Sequence, residues 1–471
     1  MARAARQRRE NELPYIPFGP FQIRFPFIHY KIESVEFIQG LILGVTALAA
    51  VPYLEQYLGL PYELAWSCVI IETMLYMLHS LLGDPVVPGW ITPTLPLTIV
   101  FLEGFPMGKE RIQAMIALQM LVALSFLIMG ATGIGRKLVD AVPMGIRAGI
   151  VLGAGVTAAV NVFSARMPKA PWTVAIAVLM SYFFLFNPSF ARKATKSRFW
   201  NVVRNQGVVP AQLFAIILAP VLLHEIPLPQ IQWGMTPVSF GFVMEHFPIF
   251  GLGFPAWSFF LAAIPSALAT YIIAFSDFVL AKEVVAEATS YRPDEKVIFD
   301  ASRSNLVSFL RNAIMSLFAP WVPMCGPLWA SGLLTITERY KRGYKTMHTY
   351  WDGVCTFRAA TVISVLILPL VTLIKPAFAI FFGITMGVQA FACGNIGIRM
   401  CTTANDRGVA CVIAGALTYF TPGWALLVGI IVWVVVDGSE AVINLKNRKK
   451  TAGGPSPEEL VFKPEDKKGC C

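Results

Sequence analysis

Charge is what this 471-residue sequence has least of. Asp, Glu, Lys and Arg make up 14% of it, against 56% hydrophobic residues. A soluble domain carries about 25% charged residues. The deficit excludes a disordered chain, a nucleic-acid-binding module and an ordinary soluble enzyme. Five histidines and eight cysteines are dispersed, apart from the terminal pair Cys470 and Cys471, with no Cys-x-x-Cys. Neither a metal site nor a disulfide framework is expected. No phosphate-binding Gly-rich loop ending in Lys-Ser/Thr occurs, which argues against ATP as the energy source, and no cofactor is expected. No Ser/Lys, His/Glu/His or paired-Asp arrangement lies in an apolar stretch, so an intramembrane enzyme is not expected. A channel filter repeat is missing too. The N-terminus is basic and then polar, without the apolar core of a signal peptide.

What is there instead is apolar sequence in long runs. They fall at about 35–53, 64–82, 91–103, 112–131, 142–163, 172–188, 208–224, 257–280, 304–320, 328–338, 356–374, 377–398, 409–420 and 422–437. At about 20 residues per crossing, this is an all-α integral membrane protein of fourteen segments. With the N-terminus in the cytoplasm and sides alternating, only Lys109, Arg111, Arg166, Lys169 and Lys375 of the 38 Lys and Arg fall outside. That count assigns Arg147, Arg311 and Arg358, which lie within segments, to the nearer inner end. Arg3, Arg6, Arg8, Arg9, the Arg192–Arg204 run and the Lys446–Lys450 cluster all fall inside. Positive residues collect on the cytoplasmic side, so both termini are expected there, in the cell membrane. The expected organisation is a cytoplasmic segment 1–34, a first repeat 35–224, an outer loop 225–256, a second repeat 257–437 and a cytoplasmic tail 438–471.

Segments three and ten, 91–103 and 328–338, are too short to cross as helices. Each follows a helix-breaking run, Pro85-Val86-Val87-Pro88-Gly89-Trp90 in one and Pro320-Trp321-Val322-Pro323-Met324-Cys325-Gly326-Pro327 in the other. Interrupted segments at matching places in two halves of seven point to an inverted-repeat transporter with its site at mid-membrane. Extended backbone at that depth survives only where protein or a polar cavity covers it. The free N–H groups and positive dipole end of a half-helix suit an anionic or carbonyl-bearing solute.

Several motifs carry a family likeness. Gln39-Gly40 and Pro52 in the first segment, Pro88 before the third, and Gly133-Ile134-Gly135-Arg136-Lys137-Leu138-Val139-Asp140-Ala141-Val142-Pro143 with Gly153-Ala154-Gly155 are four of them. Ser302-Arg303-Ser304-Asn305 and Ile336-Thr337 continue the series. From about 35 to 437 the chain resembles the nucleobase/ascorbate (xanthine–uracil) permease family. The sulfate permease family shares the seven-plus-seven architecture, and Ile298-Phe299-Asp300-Ala301-Ser302-Arg303 is similar to its loop. A tail of 438–471 is short for the cytoplasmic domain that sulfate permeases carry, which favours the nucleobase-type branch. The resemblance implies a core domain (segments 1–4 and 8–11), a gate domain (5–7 and 12–14) and a homodimer. It also places solute between the starts of segments three and ten. The family's segment-eight acid falls on Asp277; Trp329 stands where its segment-ten acid would be, and Leu95 near its segment-three aromatic.

Asp277 also stands out without the resemblance, because a carboxylate deep in an apolar stretch is costly unless it faces a cavity or binds a cation. It is a candidate for both solute contact and ion coupling. Glu72 is the second mid-segment acid, a candidate for coupling or for a polar brace. Trp329, Ala330 and Ser331 open segment ten, Thr92 and Thr94 open segment three, and Gln39 is the best placed of the amides within segments. Together they form the expected solute site. The expected function is proton- or sodium-coupled symport of a small planar or anionic solute of the xanthine/uracil type. The alternative is an inorganic or carboxylate anion carrier of the sulfate permease type, which the missing segment-ten acid favours.

Overall fold

The structure, a computed structural model, describes residues 11–236, 240–246, 251–420 and 422–450. The N-terminal arginines Arg3, Arg6, Arg8 and Arg9 and the tail residues Cys470 and Cys471 lie outside these. Each apolar run of the sequence coincides with helix. In chain order the helices used below are α1 (Ser34–Gly44), α2 (Tyr62–Leu75), α3 (Met77–Leu81), α4 (Leu95–Glu103), α5 (Lys109–Ala131), α6 (Met144–Asn161), α7 (Pro171–Phe186) and α8 (Val209–Leu213). They continue with α9 (Trp257–Ser290), α10 (Ala301–Phe318), α11 (Ala330–Tyr340), α12 (Tyr350–Leu366), α13 (Phe378–Met400), α14 (Ala404–Tyr419) and α15 (Pro422–Lys450). Six of the described helical stretches are long and apolar enough to cross a bilayer singly: Ser34–Leu58, Tyr62–Leu81, Lys109–Ala131, Met144–Lys169, Trp257–Ser290 and Leu368–Met400. The chain is a multi-pass membrane protein.

Local chemistry sets the boundaries. Gly59 ends the first crossing with φ 68°, a left-handed conformation that a side chain disfavours. Asp300 caps α10 by accepting from the backbone N–H groups of Ser302 and Arg303. Thr349 with Asp352 and Thr403 with Asp406 make capping boxes that start α12 and α14. All-α is nearly the whole description. Among the described residues two short antiparallel pairs interrupt it: β1 (Ile16–Phe18) with β2 (Phe21–Ile23), and β3 (Gly89–Trp90) with β4 (Cys325–Gly326). The first pair belongs to an N-terminal strap. Gln22 and Arg24 donate their backbone N–H groups to Leu82 and Leu81, and the Arg24 guanidinium lies 4.0 Å from the Trp351 ring.

Packing falls into two groups. In one, α1 lies along α12, and α5 lies along both α9 and α10. In the other, α6 lies along α13 and α14, α13 along α7, and α14 along α15. The crossing of α1 on α12 depends on Gly44. A Cβ there would sit 2.2 Å from Ser364 Oγ and 2.6 Å from Thr361 Cα. Small residues let two backbones approach where lipid offers no hydrophobic driving force between helices.

Candidate functional site

The two helix-breaking runs meet. Gly89 pairs with Gly326 and Trp90 with Cys325, and the ladder continues through Ile91 N–H to Met324 O at 3.3 Å. Val87 O accepts from Trp329 N–H. The crossing has no room for side chains at its centre. A Cβ on Gly89 would lie 2.9 Å from Trp329 Cβ, and one on Gly326 would lie 2.8 Å from the Trp90 carbonyl carbon. From this crossing one chain turns through Thr92–Thr94 into α4, and the other enters α11 at Ala330. Each half-helix therefore starts beside the other's strand.

Arg311 of α10 ties the crossing together. Its Nη1 donates to Gly326 O at 2.7 Å, and its Nη2 donates to Gly89 O at 3.2 Å and to the Glu72 carboxylate. Both side chains are buried. Cys325 Sγ–H donates to the other Glu72 oxygen at 3.2 Å. Asn312 clamps Cys325 from both sides: Nδ2 donates to Cys325 O at 2.9 Å, and Cys325 N–H donates to Asn312 Oδ1 at 3.1 Å. The Gln119 carbonyl accepts from Trp321 N–H at 3.0 Å. The backbone of the crossing is thus satisfied by side chains of α5 and α10, with Glu72 of α2 balancing Arg311.

A second arginine does the opposite. Arg358 of α12 is 1% exposed and forms no ion pair among the described residues. Its Nε and Nη2 have no hydrogen-bond partner. What surrounds it is aromatic: the Tyr76 ring at 4.2 Å and the Trp329 and Phe357 rings at 5.5 Å. Trp329 is the residue that begins α11. Gln39 of α1 and Gln212 of α8 are likewise fully buried, with both amide atoms unpartnered. Buried polar groups are normally satisfied, and those that are not ask for an explanation.

The expected site residues sort as follows. Trp329, Ala330, Ser331, Thr92, Thr94 and Leu95 all lie at the starts of the two half-helices. Thr94 Oγ1 donates to Ile91 O at 2.7 Å, so it serves the turn, while Thr92 is exposed and Ser331 and Leu95 are buried. Asp277 lies on α9, which packs against the Thr92–Thr94 turn, α4 and α11. It is half-buried and accepts no hydrogen bond from a described residue. Glu72 is held by Arg311. Arg311, Arg358, His79, Asp84 and Gln212 were not among the expected residues. The charge count had credited Arg311 and Arg358, which lie within segments, to the nearer inner end; both are buried inside the helix bundle. Their position within apolar stretches was the available signal.

No family model matches the sequence, and no curated protein matches it. Similar solved structures include the transmembrane domain of a cyanobacterium bicarbonate transporter, BicA, at 14% identity and TM-score 0.44, covering 86% of this chain and 99% of that one. SLC26A9 is similar at 16% identity and TM-score 0.49, covering 85% and 64%. Murine Solute Carrier 26 family member A9, described as an anion transporter in the inward-facing state, is similar at 14% and 0.49, covering 87% and 70%. The chain spans just under two thirds of the SLC26A9 chain. These findings overturn the expected membership of the nucleobase/ascorbate permease family. The residues agree with that: Trp329 stands where the resemblance would put the segment-ten acid, and the buried charge beside it, Arg358, is positive.

Proposed function

We propose that the chain is a secondary active transporter of a small anion. Arg358 is the observation that carries this reading. A charge in the middle of a membrane protein costs about 3 kcal/mol or more unless it is paired. Here a buried guanidinium stands beside the start of α11 with no ion pair among the described residues, the acid near it, Glu72, being paired with Arg311. An anion at the starts of α4 and α11 supplies the missing charge and also meets two positive helix ends. Gln39 and Ser331 add donors from α1 and α11.

The rest of the reading follows from that site. The chain has fourteen segments as two inverted repeats, 35–224 and 257–437, between a cytoplasmic segment 1–34 and tail 438–471, with the loop 225–256 outside. Antiparallel pairing of β3 with β4 supports a two-fold relation between the halves. The α1/α5/α9/α10/α12 group acts as core domain and the α6/α7/α13/α14/α15 group as gate, and rocking of one against the other alternates access. Asp277, unpartnered and on the helix beside the site, takes the proton or sodium ion that drives uptake. Glu72 acts through Arg311 as a brace. A second copy joins through the gate domain.

A thermal-shift panel tests the reading. Ligand that binds the folded state raises its apparent stability by mass action, about 2.7 kcal/mol at a hundred times Kd. Bicarbonate, sulfate and small carboxylates are each added to detergent-purified protein, with and without sodium. The reading expects a rise with at least one anion and none with uracil or xanthine. A rise with nucleobases alone overturns it.

A further inference from the structure

His79 and Asp84 are both completely buried at the end of α3, and the transport scheme gives neither a part. His79 Nδ1 lies 2.7 Å from Asp84 Oδ2, and Asp84 N–H donates to His79 O at 2.7 Å, closing a tight loop. The other ring nitrogen, Nε2, lies 3.3 Å from Arg311 Nη1. A guanidinium only donates. Nε2 therefore accepts, the ring proton sits on Nδ1, and Asp84 receives it. The same Arg311 nitrogen that His79 holds also donates to Gly326 O, on the strand that leads into α11. Facing the ring are Asp84 from the following loop, Arg311 from α10 and Arg358 from α12, with Glu72 of α2 and Tyr76, between α2 and α3, beyond the two arginines.

We infer that His79, oriented by Asp84, is a positioning residue for the anion site. It keeps Arg311 on the carbonyls of both strands, and a proton on Nε2 removes the acceptor and sets two cations against each other. The strand crossing then loosens and anion binding fails on acidification. The second half of this rests on the proposed transport function; the first half does not.

Thermal unfolding of the purified protein at about pH 7.5 and about pH 5.5 tests the first half without any solute. His79→Gln can accept from Arg311 and donate to Asp84 but takes no proton. It is expected to lose less Tm on acidification than the wild type, by about 2–4 °C. His79→Leu removes the acceptor at every pH, and is expected to unfold below the wild type at the higher pH. In proteoliposomes, His79→Leu raises KM for the transported anion about tenfold or more while kcat is kept, because ground-state and transition-state binding are lost together. Equal acid-side Tm loss in wild type and His79→Gln overturns the proposal. So does His79→Leu with wild-type Tm and KM. If the wild type responds to no anion, the transport half falls with the function it rests on, and the Tm comparison alone decides the dyad.

Discussion

Two neighbouring acids outside the membrane segments show how strongly one residue's surroundings decide its chemistry. Asp294 accepts from Arg292 Nε and Nη2 at 2.7 Å each, and that pairing holds its carboxyl below the usual range. Glu295 is buried, and burial pushes it up to about 7 despite hydrogen bonds from Tyr350 N–H and the Tyr340 hydroxyl. A carboxyl raised in the folded state binds its proton more tightly there than in the unfolded chain. Its effect on stability is therefore unfavourable as pH rises from about 4.5 through about 7 and complete above that. Glu295→Gln is expected to raise Tm at pH 8 relative to the wild type and to leave it nearly unchanged at pH 5, measured by thermal unfolding. The opposite ordering would mean that Glu295 is ionised at little cost. At this scale the sequence was partly legible. Asp277 and Glu72 stood out as acids within apolar runs. Arg311 and Arg358 stood within segments too, but the charge count only credited them to the nearer inner end and gave them no part in the site. Gln212 carried no signal at all: an amide near a segment end is ordinary until its burial is known.

At the scale of elements, the interrupted segments were the most legible feature. Proline removes a backbone donor and its ring clashes with the preceding turn, so the runs 85–93 and 320–327 could not be helix. That they pair with each other as strands was not legible, since pairing depends on the path of the whole chain. Helix lengths were less well read. α9 continues to Ser290, about ten residues beyond its apolar run, because its polar end lies against α11, where Glu287 meets Lys341. The α1–α12 crossing offers a direct test. Gly44→Leu places branched carbon where Ser364 and Thr361 already stand. Overpacking of this kind costs about 1–3 kcal/mol. The variant is expected to lower Tm and to weaken anion binding by shifting Gln39, five residues earlier on the same helix. A fully stable variant would show that the two helices can separate freely.

Across the whole molecule, the two packed groups are joined by polar contacts. Arg147 of α6 meets Glu283 of α9 at 3.1 Å. Arg342, just after α11, donates to the carbonyls of Phe184 and Leu185 at 3.4 and 3.3 Å and to that of Arg204. If the groups move against each other, these contacts must break in every cycle. Glu283→Gln is expected to favour the state open to the cytoplasm. The check is a cysteine at Ser331, which should react faster with a membrane-impermeant thiol reagent applied from inside. An unchanged rate would mean that the Arg147–Glu283 pair does not hold the inner side closed.

The most direct test of anion transport at this site is to remove the unbalanced charge and measure both stability and binding. Arg358→Met roughly keeps the length of the side chain and deletes a buried cation that has no ion-pair partner among the described residues. Replacing an unpaired buried charge with an apolar group is stabilising, and sites built for function trade stability away in this manner. The expected result is a variant with a higher Tm than the wild type and no further rise with any anion that stabilises the wild type. A variant that still gains the wild-type shift with that anion would contradict the account, because the anion would then be held somewhere other than beside Arg358.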